Sequence, residues 1–423
     1  MTVDLTIKNC KLWYKKKTLA FGIAIDEGKI VSISKDTKLP KSDHKIDCKG
    51  KIVLPGLIDV HVHFREPGFT WKEDWLTGSK AAAHGGITYV MDMPNTDPPT
   101  TSVRNLFEKK ELAKKSVVNF GLYSGVITEN INDIKELAQH SSAFKIYMSE
   151  STGGLKLDDN VLLTKAFSNI TKTDKVVCVH AENQAINERL LRRYRKSSDP
   201  FEYSFSKPVE SEVTAIKDAI DIARRTEVKL HICHVSTKDG LNLIKKAKKD
   251  VNITCETCPH YLFMTQNDLR EKGTLAKMNP PLRIKEHQIA LWKGISNGTI
   301  DILSSDHAPH TMEEKLQDIW IAPAGVPGVE TTLQLMLDAV NKKMIKLDRL
   351  VQLMHRNPAK RFGLTNYGTE IGKDANFTII DLKKEWKIKN EDLLTKCKWS
   401  PYDGWEGKGI PVSTVINGKE VSL

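Results

Sequence analysis

The chain has 423 residues, 40% of them hydrophobic and 28% charged, with a formal net charge of +11. That length buries one large core and a smaller second one without staples, and seven cysteines scattered from Cys10 to Cys397 exclude a disulfide framework. No apolar run approaches the ~18 residues of a membrane span, and no secretion signal heads the sequence, so the expected location is the cytoplasm.

In chain order, residues 1–55 read as short strands and turns: "DLTIKNCKLWY", "AFGIAIDEGKIVSIS" and "KIDCKGKIVLPG". From 56 to 365 the pattern changes. Strand-like runs alternate with amphipathic helical stretches: "GLIDVHVHF", "ITYVMDM", "VNFGLYSGV", "AFKIYM", "VVCVHAE", "KLHICHVS", "NITCETCPH" and "TIDILSSDH". Helical segments such as "DWLTGSKAAAHGG", "VTAIKDAIDIARRT" and "DGLNLIKKAKKD" separate them. Such alternation predicts an α/β fold, a (β/α)8 TIM-type barrel with its working groups at the C-terminal strand ends. From 366 to 423 short strands return, in "GTEIGKDANFTIIDL" and "PVSTVINGKEV". The two ends are expected to pair as one small β-domain, whose N-terminal part is 1–55 and C-terminal part 366–423.

The positive charge invites a nucleic-acid reading. Its lysine clusters, "KKK" at 15–17 and "KKAKK" at 245–249, lack interleaved aromatics and read as solvated helix faces. A basic surface also attracts a small dianionic substrate. Cys255 and Cys258 form a lone CxxC inside a strand-like run, with no second pair to complete a zinc ribbon, and read as buried cysteines.

The polar residues carry more. In "GLIDVHVHFREPG", His61, His63 and Arg65 share a parity, so an extended chain points them to one side. Two imidazoles and a guanidinium make a poor core but hold a metal beside an anion. Asn95 follows the second run, Lys145 lies in the fourth, His180 ends the fifth, His234 the sixth, and Asp306 with His310 the eighth. A lone strand histidine is usually a core residue; ligand types at the same end of five strands reverse that expectation. His231 and His234 have opposite parity, so His234, nearer the strand end, is taken as the ligand and His231 is left to packing. Lys145 is expensive to bury as an ammonium. The plain reading is a lysine snorkelling near the strand end; beside two cations its pKa would instead fall, and the free amine can react with CO2 to give a carbamate able to bridge them. "AFKIYM" offers no carboxylate for that place; Glu150 lies further along.

Together "DVHVHFREPG", "MDMPNT", "KIYM", "VHAEN", "HVS", "CPHYL" and "SSDHAPH" resemble the amidohydrolase superfamily and, within it, the dihydroorotase family, over essentially the whole chain. The resemblance implies a zinc-dependent hydrolase of cyclic amides. Its reaction would be the reversible cyclisation of N-carbamoyl-L-aspartate to (S)-dihydroorotate and water in pyrimidine (UMP) biosynthesis. It implies two zinc ions: His61 and His63 on one, completed by Asp306, and His180 and His234 on the other. Carboxylated Lys145 (N6-carboxylysine) and a hydroxide would bridge them. Asp306 would also be the catalytic acid/base, and His63, Arg65, Asn95, Asn279, His310 and the main chain of Ala324 and Gly325 would contact substrate. Some relatives supply the bridge from an Asp after the fourth strand; "SESTGG" here has none, so Lys145 is preferred and Glu150 held in reserve. Allantoinase and dihydropyrimidinase are the nearest alternatives, and an inactive scaffold for aspartate transcarbamoylase is the alternative of another class. The expected partner is the small-molecule substrate, with no nucleic acid and no membrane; association with aspartate transcarbamoylase and a homo-oligomer are compatible with it. "SESTGGLKLDD" and residues 311–323 are the loops whose composition suits a cover over the substrate.

Overall fold

The computed structural model describes residues 2–197 and 199–421. Eight strands form one sheet in chain order: β1 (Leu57–Val62), β2 (Ile87–Asp92), β3 (Asn119–Gly125), β4 (Ala143–Tyr147), β5 (Val176–His180), β6 (Lys229–Ile232), β7 (Ile253–Thr257) and β8 (Ile302–Leu303). Each pairs in parallel with the next. The sheet nearly closes through a parallel bridge between Val62 and His307, where His63 N donates to His307 O at 2.8 Å. All eight expected strand runs are present, and the barrel is the one the alternation predicted. Its strands read as apolar runs because helices cover their outer faces.

The helices follow from caps and apolar stripes. Trp75–His84 starts at Asp74, whose carboxylate accepts from Leu76 N and Thr77 N, both at 2.9 Å. Val209–Thr226 buries Ala215, Ile216, Ala219, Ile220, Ile222 and Ala223, a stripe at helical spacing. Its Glu212 accepts from Ser236 N at 3.0 Å and Thr237 N at 3.1 Å, fixing the loop that leaves β6.

Inside the barrel, Ile58, Val60, Met91, Tyr123 and Cys178 form a small core, against which Phe362, Leu364 and Tyr367 pack. Both termini build one six-stranded sheet: Ile52–Pro55 pairs antiparallel with Phe377–Lys387, which pairs with Glu406–Ile416. A four-stranded sheet of N-terminal strands alone (Thr2–Lys8, Gly22–Asp26, Lys29–Ser34, Lys41–Asp47) shares a core with it, through Ile7, Leu12, Ile25, Val53, Phe377 and Val415. The expectation that the two ends pair therefore holds for one sheet and not for the other. All seven cysteines are buried free thiols, Cys255 and Cys258 included.

Candidate active site

Strand β1 delivers its histidines through an irregularity. Ile58 and Val60 lie in the barrel interior, while Leu57, Val62 and Phe64 pack against the outer helices. The pairing of β1 with β2 shifts register between Asp59 and Val62. A bulge there exchanges the faces. Past it His61 and His63 meet the mouth, with ring centroids 5.3 Å apart. His61 Nε2 lies 3.3 Å and His63 Nε2 3.2 Å from the same oxygen, Asp306 Oδ1.

The other pair faces them. His180 ends β5, and its Nδ1 is 2.8 Å from His234 Nε2; the His234 ring is 5.3 Å from that of His61. Ligand atoms of His61, His234 and Asp306 fall within 4.8 Å of one another. His234, Asp306 and Arg65 all have positive φ, at 35°, 47° and 63°. Side chains rarely adopt that backbone, and its cost concentrates at functional sites. At His234 it settles the parity question. His231 points inward, with Nε2 3.2 Å from Glu256 Oε2 and Nδ1 2.8 Å from Thr254 Oγ1. The left-handed turn then brings His234 to the mouth, while His231 stays a layer beneath it, packed against the Phe362 ring at 5.8 Å as the reading that left it to packing expected.

Lys145 is wholly buried in β4, its Nζ 3.0 Å from Cys233 Sγ. Burial pushes the Cys233 thiol well up, so it meets the lysine as a neutral thiol. No carboxylate lies within 4.0 Å of Lys145 Nζ among the described residues, which leaves a buried amine without a counter-charge. Glu150, by contrast, is exposed, and its main-chain N–H donates to Gln184 Oε1.

These residues fit a metal. Burial pushes the His63 imidazole down to about 3 and depresses His180 and His234 too, so the rings stay neutral with lone pairs available. A buried lysine with no anion is costly unless an added negative group resolves it, and the neutral rings gathered beside it offer lone pairs to a cation. Imidazole and carboxylate donors suit zinc.

Around these histidines stands a layer of acceptors that orient them. His61 Nδ1 pairs with Glu256 Oε1 at 2.5 Å, His63 Nδ1 with Asn95 Oδ1 at 2.6 Å, and His180 Nε2 with Glu182 Oε2 at 2.8 Å. Glu182 also accepts from Lys207 Nζ at 2.9 Å. Neither Glu256 nor Glu182 is singled out by the sequence reading, although both stand in quoted motifs. A charge at inward parity in β7, two residues after Thr254, was the available signal for Glu256. Asn95, expected on substrate, orients His63.

On the other side of Asp306 lies Arg65, 3% exposed. Its Nε donates to Pro309 O at 3.1 Å, and Nη2 lies 3.1 Å from His310 Nε2. Among the described residues no carboxylate oxygen comes within 4.0 Å of this guanidinium. Asn279 Oδ1 accepts from the Tyr203 hydroxyl. Ala324 O faces His310 Nε2 at 3.2 Å. Gly325, at φ 138°, donates its N–H to Lys277 O at 2.9 Å; a Cβ there would sit 2.6 Å from Ala308 O. Lys315 Nζ reaches the carbonyls of Lys277, Pro323 and Gly325 at 3.0–3.1 Å and ties these segments together. A cavity of about 500 Å³ at this mouth is lined by Glu150, Lys277, Asn279, Trp320 and Ala324. A larger cavity, about 1390 Å³, lies among the terminal strands, beside Asp43, Lys45 and Asn417, and holds none of these groups.

Comparison with known proteins agrees with this architecture. Residues 52–421 match the model of the amidohydrolase family. The dihydroorotase of Methanosarcina mazei is 42% identical over 99% of this chain and 94% of its own length. That of Pyrococcus furiosus is 40% identical over 97% and 91%. Among solved structures, the L-hydantoinase (dihydropyrimidinase) of Arthrobacter aurescens superposes with a TM-score of 0.95 at 35% identity, covering 99% of this chain and 96% of its own.

Proposed function

The chain belongs to the amidohydrolase family, and from that premise we propose that it works as a dihydroorotase, interconverting N-carbamoyl-L-aspartate and (S)-dihydroorotate. One observation carries this reading over the dihydropyrimidinase alternative: Arg65 is buried at the mouth with no carboxylate partner among the described residues. A buried guanidinium without an anion is costly. Dihydroorotate brings a carboxylate to it; dihydrouracil brings none.

The family is metal-dependent, and the donor set supports two zinc sites: His61, His63 and Asp306 would hold one ion, His180 and His234 the other. Lys145, once carboxylated, would serve both. Bound there, a metal pair makes water acidic near neutral pH and polarises an amide carbonyl.

The chain's own groups do the rest. Arg65 offers its planar fork to the substrate carboxylate, with His310 beside it. Asn279 and the main chain of Ala324 and Gly325 close over the ring. Among the described residues no lysine or arginine nitrogen lies within 4.0 Å of the Asp306 carboxylate, which leaves it a free acceptor at the mouth. Asp306 is thus ready to take a proton from the attacking water. In ring opening the water oxygen bonds to the amide carbon, the carbon–nitrogen bond breaks, and Asp306 returns the proton to the leaving nitrogen. Cyclisation runs the same steps backward.

The deciding experiment assays the purified, zinc-loaded protein with dihydroorotate, dihydrouracil and allantoin in parallel, with zinc content measured on the same sample. Turnover of dihydroorotate far above the other two is expected; preference for dihydrouracil would overturn the reading.

A further inference from the structure

His310 has both ring nitrogens engaged, by partners that want opposite things. Its Nδ1 lies 3.1 Å from Lys72 Nζ and 3.7 Å from Glu314 Oε2. Its Nε2 lies 3.2 Å from Ala324 O and 3.1 Å from Arg65 Nη2. Burial first, then Arg65, Lys72 and Lys315, hold the ring neutral. A neutral imidazole donates from one nitrogen and accepts at the other, so two tautomers compete. An ammonium only donates: Lys72 asks for a lone pair at Nδ1 and leaves the proton on Nε2. A carboxylate only accepts: Glu314, were Lys72 absent, would draw the proton to Nδ1. Lys72 is itself fixed, paired with Glu314 Oε1 at 3.1 Å and lying over the Phe69 ring at 5.5 Å.

We propose that Lys72 is a positioning residue whose ammonium at Nδ1 holds His310 as the Nε2–H tautomer, making His310 a second donor beside Arg65 for the substrate carboxylate. The proposal rests on the dihydroorotase reading of this pocket. In that tautomer Nε2–H and an Arg65 N–H converge with only Ala324 O to receive a bond, and an incoming carboxylate oxygen relieves the crowding of donors. In the other tautomer Nε2 accepts from Arg65, ties up the guanidinium, and presents a lone pair to the anion. The place of one proton decides whether the pocket attracts or repels its substrate.

The test uses the full, zinc-loaded chain labelled with 15N-histidine, the His310 signals being identified by their loss in His310→Gln. The wild-type protein is expected to show a pyridine-type nitrogen at Nδ1 and a pyrrole-type nitrogen at Nε2. In Lys72→Met the pattern should reverse and KM for dihydroorotate rise about tenfold or more, with kcat changed less than about threefold and zinc retained. Lys72→Arg, which keeps the donor, should restore both pattern and KM. A wild-type proton on Nδ1 overturns the proposal whether or not the variant folds. So does a Lys72→Met protein that keeps the wild-type pattern or the wild-type KM. Absence of dihydroorotate turnover in the wild type would instead overturn the functional reading, and the nitrogen shifts would still decide the tautomer.

Discussion

At the scale of single residues, one carboxylate divides the mouth, with histidines on one side of it and a guanidinium on the other. Asp306 touches the imidazoles of His61 and His63, while Arg65 turns away from it toward Pro309 and His310. The two sides should therefore fail independently. Arg65→Met is expected to weaken dihydroorotate binding by ~2–5 kcal/mol while zinc content, measured by atomic absorption, stays near wild type. Equal loss of both would make Arg65 structural. Asp306→Asn should cut kcat by a factor on the order of 10²–10⁴, the usual worth of a positioned acid/base, with the circular dichroism spectrum unchanged. Wild-type turnover in that variant would remove the acid/base role. Arg65 was legible in the sequence because its parity matched that of the histidines. Glu256 was not, because its work is to orient His61 from a neighbouring strand, and pairing between strands is not written in local spacing.

At the scale of elements, the mouth of the barrel is held by charges that never reach the substrate. Asp92, the last residue of β2, accepts from Phe64 N at 2.6 Å and so anchors the chain between His63 and Arg65. Lys109, on the helix Val103–Ala113, pairs with it at 2.5 Å, both side chains wholly buried. Its Nζ also donates to Met93 O at 2.6 Å, two residues before Asn95. Breaking such a pair strands a charge. Lys109→Met should cost ~3–5 kcal/mol of stability, read as a lower urea midpoint. The double variant Lys109→Met with Asp92→Asn should recover much of that; an additive loss would show that the pair is not what matters. Element positions were legible because periodicity is local. Two details were not. The bulge in β1 and the left-handed turn after β6 both change which way a side chain points, and each is imposed by packing against neighbouring strands.

At the scale of the molecule, first and last pieces meet. Ser305 N donates to both oxygens of Asp59 at 3.2 Å, joining the ends of β1 and β8, and His355 Nδ1 lies 2.8 Å from Gly56 O at the start of the barrel. Burial pushes His355 down from its ordinary 6.5 to about 4, and His260 likewise to about 4. A histidine depressed in the folded state leaves the unfolded chain holding more protons between those values. Stability is thus full above pH 6.5 and falls as pH drops toward 4. His355→Gln should flatten the pH dependence of the urea midpoint in that window; an unchanged slope would mean that His355 does not titrate there.

The sequence by itself determined the class of fold, the eight strand positions, and which residue types gather at one end of them, because hydrophobic period and strand-end placement are properties of short stretches. Tertiary structure alone decided how the left-handed turn brings His234 to the mouth above His231, and that Glu256 and Glu182 orient His61 and His180. It also decided that the four N-terminal strands form a sheet of their own, and that Lys72 and Glu314 both face Nδ1 of His310. Each of these depends on a hydrogen bond or a backbone twist between segments distant in the chain, where the energy lies in the meeting and not in either partner.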